Sequence, residues 1–222
     1  MRYSKEHKQD THARIVKKAS VRLREKGAHG VGVADLMKEA GLTHGGFYAH
    51  FDSREALVIE AFAYASVRSR DHWRKIAEQT PPEKRLALIV DSYLNSAHRD
   101  DPGHGCAIAS LGADIARESP KTRKAFSAEL EQMIDLIADQ IPSVPRKAAR
   151  RQATATLATL MGALVMARIA GNGEFSDEIM AAGREAALGR AARAKPAPRL
   201  ARAKPSLLSR GFIDPSRVFA LA

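Results

Sequence analysis

Cysteine, tryptophan and long apolar runs are scarce in this chain. One cysteine, Cys106, stands among 222 residues, so no intrachain disulfide can form and the composition suits a reducing compartment. Aromatics make up 5% of the residues and only one of them is Trp, which leaves the core to aliphatic side chains. No uninterrupted apolar stretch reaches the length of about eighteen residues that a membrane span needs. The opening Met1-Arg2-Tyr3-Ser4-Lys5-Glu6 also lacks the apolar segment of a signal peptide. The expectation is a cytoplasmic protein with no membrane partner. Catalytic signatures are missing too: there is no Gly-rich phosphate fingerprint, nucleophile elbow or metalloprotease helix, so no enzyme and no cofactor are expected. His98, Asp100, Asp101, His104 and Cys106 fall close together, but their spacing matches no zinc pattern, and no metal site is expected.

Positive charge is plentiful but uneven. The formal net charge is +11, and from Gly189 onward eight Lys/Arg face the single acid Asp214, which accounts for +7 and leaves +4 for residues 1–188. The basic balance is mostly a property of the tail and is weak evidence for a polyanionic partner. Ala-Arg-Ala-Lys-Pro occurs at 192–196 and again at 201–205. A segment so poor in large apolar residues cannot offset its ordering entropy, so 190–222 is expected to be disordered, with a phosphate-binding arm as the functional alternative.

Helical periodicity dominates the rest, and no run of alternating β-branched residues competes with it, which makes the class all-α. A first helix over Thr11–Lys26 carries Ile15, Ala19 and Leu23 on one face, with Lys17, Arg22 and Arg24 outside it and Gly27 to end it. A short helix follows at Val33–Ala40, then the turn Gly41-Leu42-Thr43, in which Gly41 can take a left-handed conformation and Thr43 can cap a helix from His44 to His50. Ser53 caps a longer helix. Thr80-Pro81-Pro82-Glu83 reads as a capping box, His98–Gly105 as a loop, Cys106–Glu118 as helix, and Ser119-Pro120 as another helix start. The last two helices, 146–170 and 176–188, are rich in small residues and read as a subunit interface, or as a pair packed on its own core. The domains expected are a three-helix head over 8–68, a larger helical domain over 69–189, and the tail.

Two short helices joined by a Gly-containing turn behind a longer helix make a helix-turn-helix head, which places its third helix in the DNA major groove. The block from Ala34 through Gly41-Leu42-Thr43-His44-Gly45-Gly46-Phe47-Tyr48-Ala49-His50-Phe51 to Leu57 strongly resembles the DNA-binding head of the TetR family of repressors. The resemblance implies a DNA-contacting set of Thr43, His44, Gly45, Gly46, Tyr48, His50 and Arg54, with Phe47 and Phe51 as core. Thr43, Tyr48 and Arg54 would meet phosphates, His44 a phosphate or base edge, and the two glycines would let the backbone approach the groove. Gly46 and Gly32 stand where the family often has hydroxyl-bearing or slightly larger residues.

The same resemblance implies a homodimer on a near-palindromic operator in double-stranded DNA, and a second domain enclosing a mainly apolar cavity for a small-molecule effector. Phe62, Trp73, Tyr93, Cys106, Met133, Met161 and Met166 are the candidate lining residues, with Tyr64 beside them. Each is more often an ordinary core residue. Cys106, opening a helix, is a candidate redox-sensitive thiol or an inert small hydrophobe. A basic architectural protein without operator preference is the alternative function.

Overall fold

The computed structural model describes residues 5–189. The tail over 190–222, with the expectation attached to it, lies outside the described residues. Those residues form helices joined by turns, with no strand among them: α1 (Lys5–Lys26), α2 (Val33–Glu39), a 3-10 helix (His44–Ala49), α3 (Arg54–Gln79), α4 (Pro82–Tyr93), α5 (Ser96–Asp100), α6 (Ala107–Ile115), α7 (Pro120–Ala138), α8 (Arg146–Ala170) and α9 (Glu174–Ala187).

The head closes around Ile15, Ala19 and Leu23 of α1, Leu36 and Met37 of α2, Phe47, Phe51, and Leu57 and Ala61 of α3, all fully or nearly buried. Its turns follow the backbone requirements read from the sequence. Gly27 and Gly41 have φ of +83° and +73°, a region that costs most other residues steric strain. At Gly41 the amide donates to the Lys38 carbonyl at 2.9 Å and Leu42 donates to Met37 at 2.9 Å, which closes the end of α2 with a Schellman pair.

Head and body share one continuous helix, since α3 runs from Arg54 to Gln79 through position 68, the expected boundary between them. Side chains add cross-ties. The Ala28 amide donates to Asp114 Oδ2 on α6 at 2.8 Å, and Glu55 at the start of α3 accepts from Thr122 Oγ1 on α7 at 2.7 Å. Those hydroxyls, Ser119 first and Thr122 next, hold the Glu55 carboxyl below its ordinary pKa.

Several local expectations are corrected. Thr80 ends α3 instead of capping α4, Pro81 occupies the N-cap with no side-chain bond, and the Thr80 carbonyl accepts from Arg85 Nε at 2.8 Å; proline's fixed φ supplies the helix start without a capping box. The stretch expected as loop from His98 begins inside α5, which is capped by Asn95 accepting from the His98 amide at 2.9 Å. α6 ends at Ile115, three residues before Glu118. Arg24, assigned to the outer face of α1, is buried. Ser119 does cap α7, accepting from Thr122 at 3.2 Å.

α8 and α9 pack closely on each other. A Cβ on Gly183 would lie 2.5 Å from that of Ala163, so this contact depends on the missing side chain. The pair also has an unburied apolar side, with Ile169 81% and Phe175 66% exposed and Met166 beside them. α8 is long and apolar enough to cross a membrane by length and composition alone, but its Ala153, Leu157, Leu160 and Leu164 are buried in the helical core.

Candidate nucleic-acid interface and internal cavity

The 3-10 helix presents one wet face and one dry face. Phe47 is buried, stacking on Phe51 with centroids 5.4 Å apart, while Thr43, His44, Gly45 and Tyr48 face solvent and Tyr48 is 69% exposed. The apolar side fixes the element and leaves the polar side free for a partner. Thr43 holds the N-cap position but its hydroxyl makes no capping bond, contrary to expectation. In the tighter 3-10 turn the first bond runs from the Gly46 amide to the Thr43 carbonyl at 3.1 Å. At Gly46 an added Cβ would meet Met37 and Thr43 at 3.7 Å, an ordinary contact, and at Gly45 it would meet nothing within 4 Å.

His50 and Arg54 are placed differently from the exposed four. The His50 ring lies 6.0 Å from that of His12, its Nδ1 is buried without a partner, and burial together with His12 and Lys8 lowers its pKa. Any gain in positive charge at this ring is thereby moved to lower pH. Arg54 turns back into the head, donating to the Ala28 carbonyl and, at 3.4 Å, to that of Val31. It braces the loop between α1 and α2.

A cavity of about 380 Å³, open to solvent on one side, lies between α1, α3, α4, α5 and the segment leading into α6. Of the residues expected to line a ligand site, the fold brings Trp73, Tyr93 and Cys106 to this cavity. Phe62 stacks on Phe126, with centroids 3.3 Å apart, at a separate apolar groove. Met133 is core, Met161 is half-buried against the core, and Met166 lies on the exposed α8–α9 side. Tyr64 stands outside the cavity wall and accepts from Arg68 at 3.3 Å.

The wall is polar, in contrast to the mainly apolar cavity expected. Arg24, Arg68, His72, His98, Asp101 and His104 share it with the aromatics. Sequence reading missed Arg24, although its spacing gave a signal: Val16, Ser20 and Arg24 recur every four residues on one side of α1, and all three are buried.

A hydrogen-bonded turn shapes one end of the cavity. The Cys106 amide donates to His98 Nε2 at 2.8 Å, so Nδ1 carries the proton and donates to the Tyr93 carbonyl at 2.6 Å. That makes His98 a neutral imidazole, and burial, then Arg168 and Arg24, lowers its pKa against the raising effect of the Tyr93 bond. Gly105 is required here, since a Cβ would come within 2.7 Å of the His98 ring and 2.8 Å of Arg168 Nη2. Arg168 binds the carbonyls of His98 (2.8 Å) and Arg99 (3.1 Å) and the Ser110 hydroxyl (3.1 Å). Arg24 reaches across from α1 and donates to the Gly105 carbonyl at 3.0 Å. The turn thus joins the last part of α1, which belongs to the head, to the body.

Among the described residues no group of three or more His, Cys, Asp or Glu is arranged to hold a metal ion. Cys106 is 3% exposed, which keeps its sulfur from bulk solvent.

Comparisons with known proteins agree with this architecture. Residues 15–61 match the family model for bacterial regulatory proteins of the tetR family, and residues 82–181 match the C-terminal domain of LmrA/YxaF-like transcriptional regulators. An uncharacterised helix-turn-helix transcriptional regulator of Mycobacterium tuberculosis is 27% identical over 164 residues, covering 70% of this chain and 83% of the relative. A TetR-family regulator from Cytophaga hutchinsonii superposes with a TM-score of 0.70 at 20% identity, covering 85% of this chain and 98% of its own. The Bacillus subtilis regulator FadR in complex with stearoyl-CoA superposes with a TM-score of 0.62 at 16% identity, covering 80% and 98%. With both halves matched and the three-helix head and helical body in place, the chain belongs to the TetR family of helix-turn-helix transcriptional regulators.

Proposed function

We propose that the protein is an operator-specific repressor that works as a homodimer in the cytosol, by binding and not by catalysis, and is released from DNA by a small molecule held in the α1–α3–α4 cavity. The observation that carries this reading is the two-sided 3-10 helix, anchored by Phe47 and Phe51 and exposing Thr43, His44, Gly45 and Tyr48. Thr43 and Tyr48 supply hydroxyls to phosphates, His44 reaches a phosphate or a base edge, and Gly45 and Gly46 allow close backbone approach. His50 backs this face, and Arg54, at the start of α3, braces the loop between α1 and α2.

Dimerisation through α8 and α9 is supported by Met166 and Phe175, which line one apolar groove on the outer side of the pair, and by the exposed Ile169 on α8. A contiguous patch of this kind marks an association surface. Two heads related by a two-fold axis read half-sites about one DNA turn apart. The proposed units are a head over 8–68 and a body over 69–189, joined through α3. Release follows if the effector binds the DNA-incompetent arrangement more tightly, since equal affinity for both would shift nothing. FadR shows that the fold can hold an organic ligand.

Pull-down of genomic fragments with the purified protein at physiological salt tests the reading. Enrichment of a near-palindromic sequence, lost in a Tyr48→Phe, Thr43→Ala variant, is the expected result. Uniform recovery of fragments that falls steeply with salt overturns it and favours an architectural protein.

A further inference from the structure

The cavity contains hydrogen-bonding capacity that the protein does not use. Arg24 is 7% exposed, and its two terminal nitrogens bond only neutral oxygens, the Gly105 carbonyl at 3.0 Å and the Ser20 hydroxyl at 3.3 Å. No carboxylate forms an ion pair with it among the described residues, and its Nε is buried without a partner. Burial first, and the like charge of Arg68 with it, pull its pKa down to about 10, against raising contributions from Cys106 and Asp101. A buried cation without a counter-ion is costly and is retained where something else neutralises it. Tyr93 faces the same space. It is 3% exposed, and its hydroxyl lies beside the Cys106 thiol, a weak hydrogen-bonding group, with no oxygen or nitrogen partner. Arg68, whose one hydrogen bond goes to the neutral Tyr64 hydroxyl at 3.3 Å, stands at the solvent side of the same wall.

We infer that the cavity binds a small organic carboxylate, with the carboxylate on Arg24 and the Tyr93 hydroxyl, Arg68 completing the neutralisation, and a compact apolar body against Trp73. The inference rests on the reading of this cavity as the effector site and specifies its chemistry. The donors come from α1, α3 and α4, so one carboxylate draws together a helix of the head and two helices that run through or lie in the body. Arg24 already spans that joint through Gly105. A ligand that recruits its guanidinium acts on the tie between α1 and the turn into α6, which gives the ligand a differential interaction with two head positions. Of the histidines of the wall, His98 is held neutral by its two bonds, and His104 lies against Asp101 at 2.9 Å.

Trp73 is the sole tryptophan of the chain and lines the cavity, so its fluorescence reports binding without labelling. The full-length protein is titrated with benzoate, its neutral isostere benzamide, and inorganic phosphate at millimolar concentrations, and fluorescence, melting temperature and affinity for an enriched DNA fragment are read in the same samples. Benzoate is expected to change Trp73 fluorescence saturably and raise the melting temperature, while benzamide and phosphate do neither. Arg68→Gln and Tyr93→Phe, which remove an exposed charge and a hydroxyl that touches only the Cys106 thiol and so leave the fold intact, are expected to weaken benzoate by about tenfold or more and by a few-fold respectively. An unchanged benzoate affinity in both variants overturns the inference, as does no response to benzoate. An equal response to benzamide overturns the anionic class but keeps the effector site, and an equal response to phosphate overturns the organic body. A benzoate response with no change in DNA affinity upholds the carboxylate site and overturns the effector reading instead.

Discussion

The recognition face and the internal cavity use the same residue types in opposite surroundings. On the recognition face, Tyr48 and His44 stand exposed to solvent; around the cavity, Tyr93, His98 and Arg24 are wholly or largely withdrawn from it. Exposed donors spend little energy waiting for a ligand and gain little per contact, so the head must add many weak, salt-screened phosphate contacts. Buried donors have already lost their hydration, so each interaction in the cavity is worth more and tolerates less variation in the partner. A surface that reads a long polyanion and a pocket that selects a small molecule follow from that difference.

Removing the support beneath the exposed face should have the largest effect. Phe47→Ala deletes a buried ring of the head and should cost about 3–5 kcal/mol, with DNA binding lost while the body keeps its helical circular dichroism. Retained DNA binding would show that the 3-10 helix does not depend on its dry face. Gly105→Ala strikes the cavity end. The added Cβ collides with His98 and Arg168, and the expected loss is about 1–3 kcal/mol, read as a lowered melting temperature without loss of DNA binding at a temperature where the protein stays folded.

Tyr48→Phe removes one phosphate bond and should weaken DNA binding by about 0.5–1.5 kcal/mol, leaving the melting temperature and Trp73 fluorescence unchanged. The smallest effect separates the two histidine environments by pH. Because the folded pKa of His98 is lowered below its ordinary 6.5, the unfolded chain binds more protons between the two values. The contribution of His98 to stability is therefore complete above about pH 6.5 and is lost as pH falls through the folded value. His98→Gln can still donate to Tyr93 and accept from Cys106 but cannot protonate. Between pH 7.5 and pH 5 its melting temperature should fall less than that of the parent, and an equal fall would place the acid sensitivity elsewhere, with His50 next to be replaced.

The head was legible in the sequence because its elements depend on local rules. Gly27 and Gly41 end helices by left-handed backbone, Ser53 caps α3, and the buried Phe47 and Phe51 set against the exposed Tyr48 separate a dry from a wet side. The cavity was only partly legible. Trp73, Tyr93 and Cys106 were named from residue type, but Arg24, 49 positions before Trp73 in sequence, reaches the same wall only through tertiary packing. Treating α1 as one apolar stripe of Ile15, Ala19 and Leu23 hid the neighbouring buried row that ends in Arg24. Thr43 and Thr80 show the complementary limit: a capping residue type marks a helix boundary, but backbone geometry decides whether its hydroxyl bonds.

The most direct test of the central claim is the ratio of dissociation constants for an enriched genomic fragment and a scrambled fragment of equal length, measured at one physiological salt concentration. An operator-specific regulator should prefer the enriched fragment by about a thousandfold or more. A preference within about tenfold would contradict the assignment, since phosphate contacts alone account for binding of that kind.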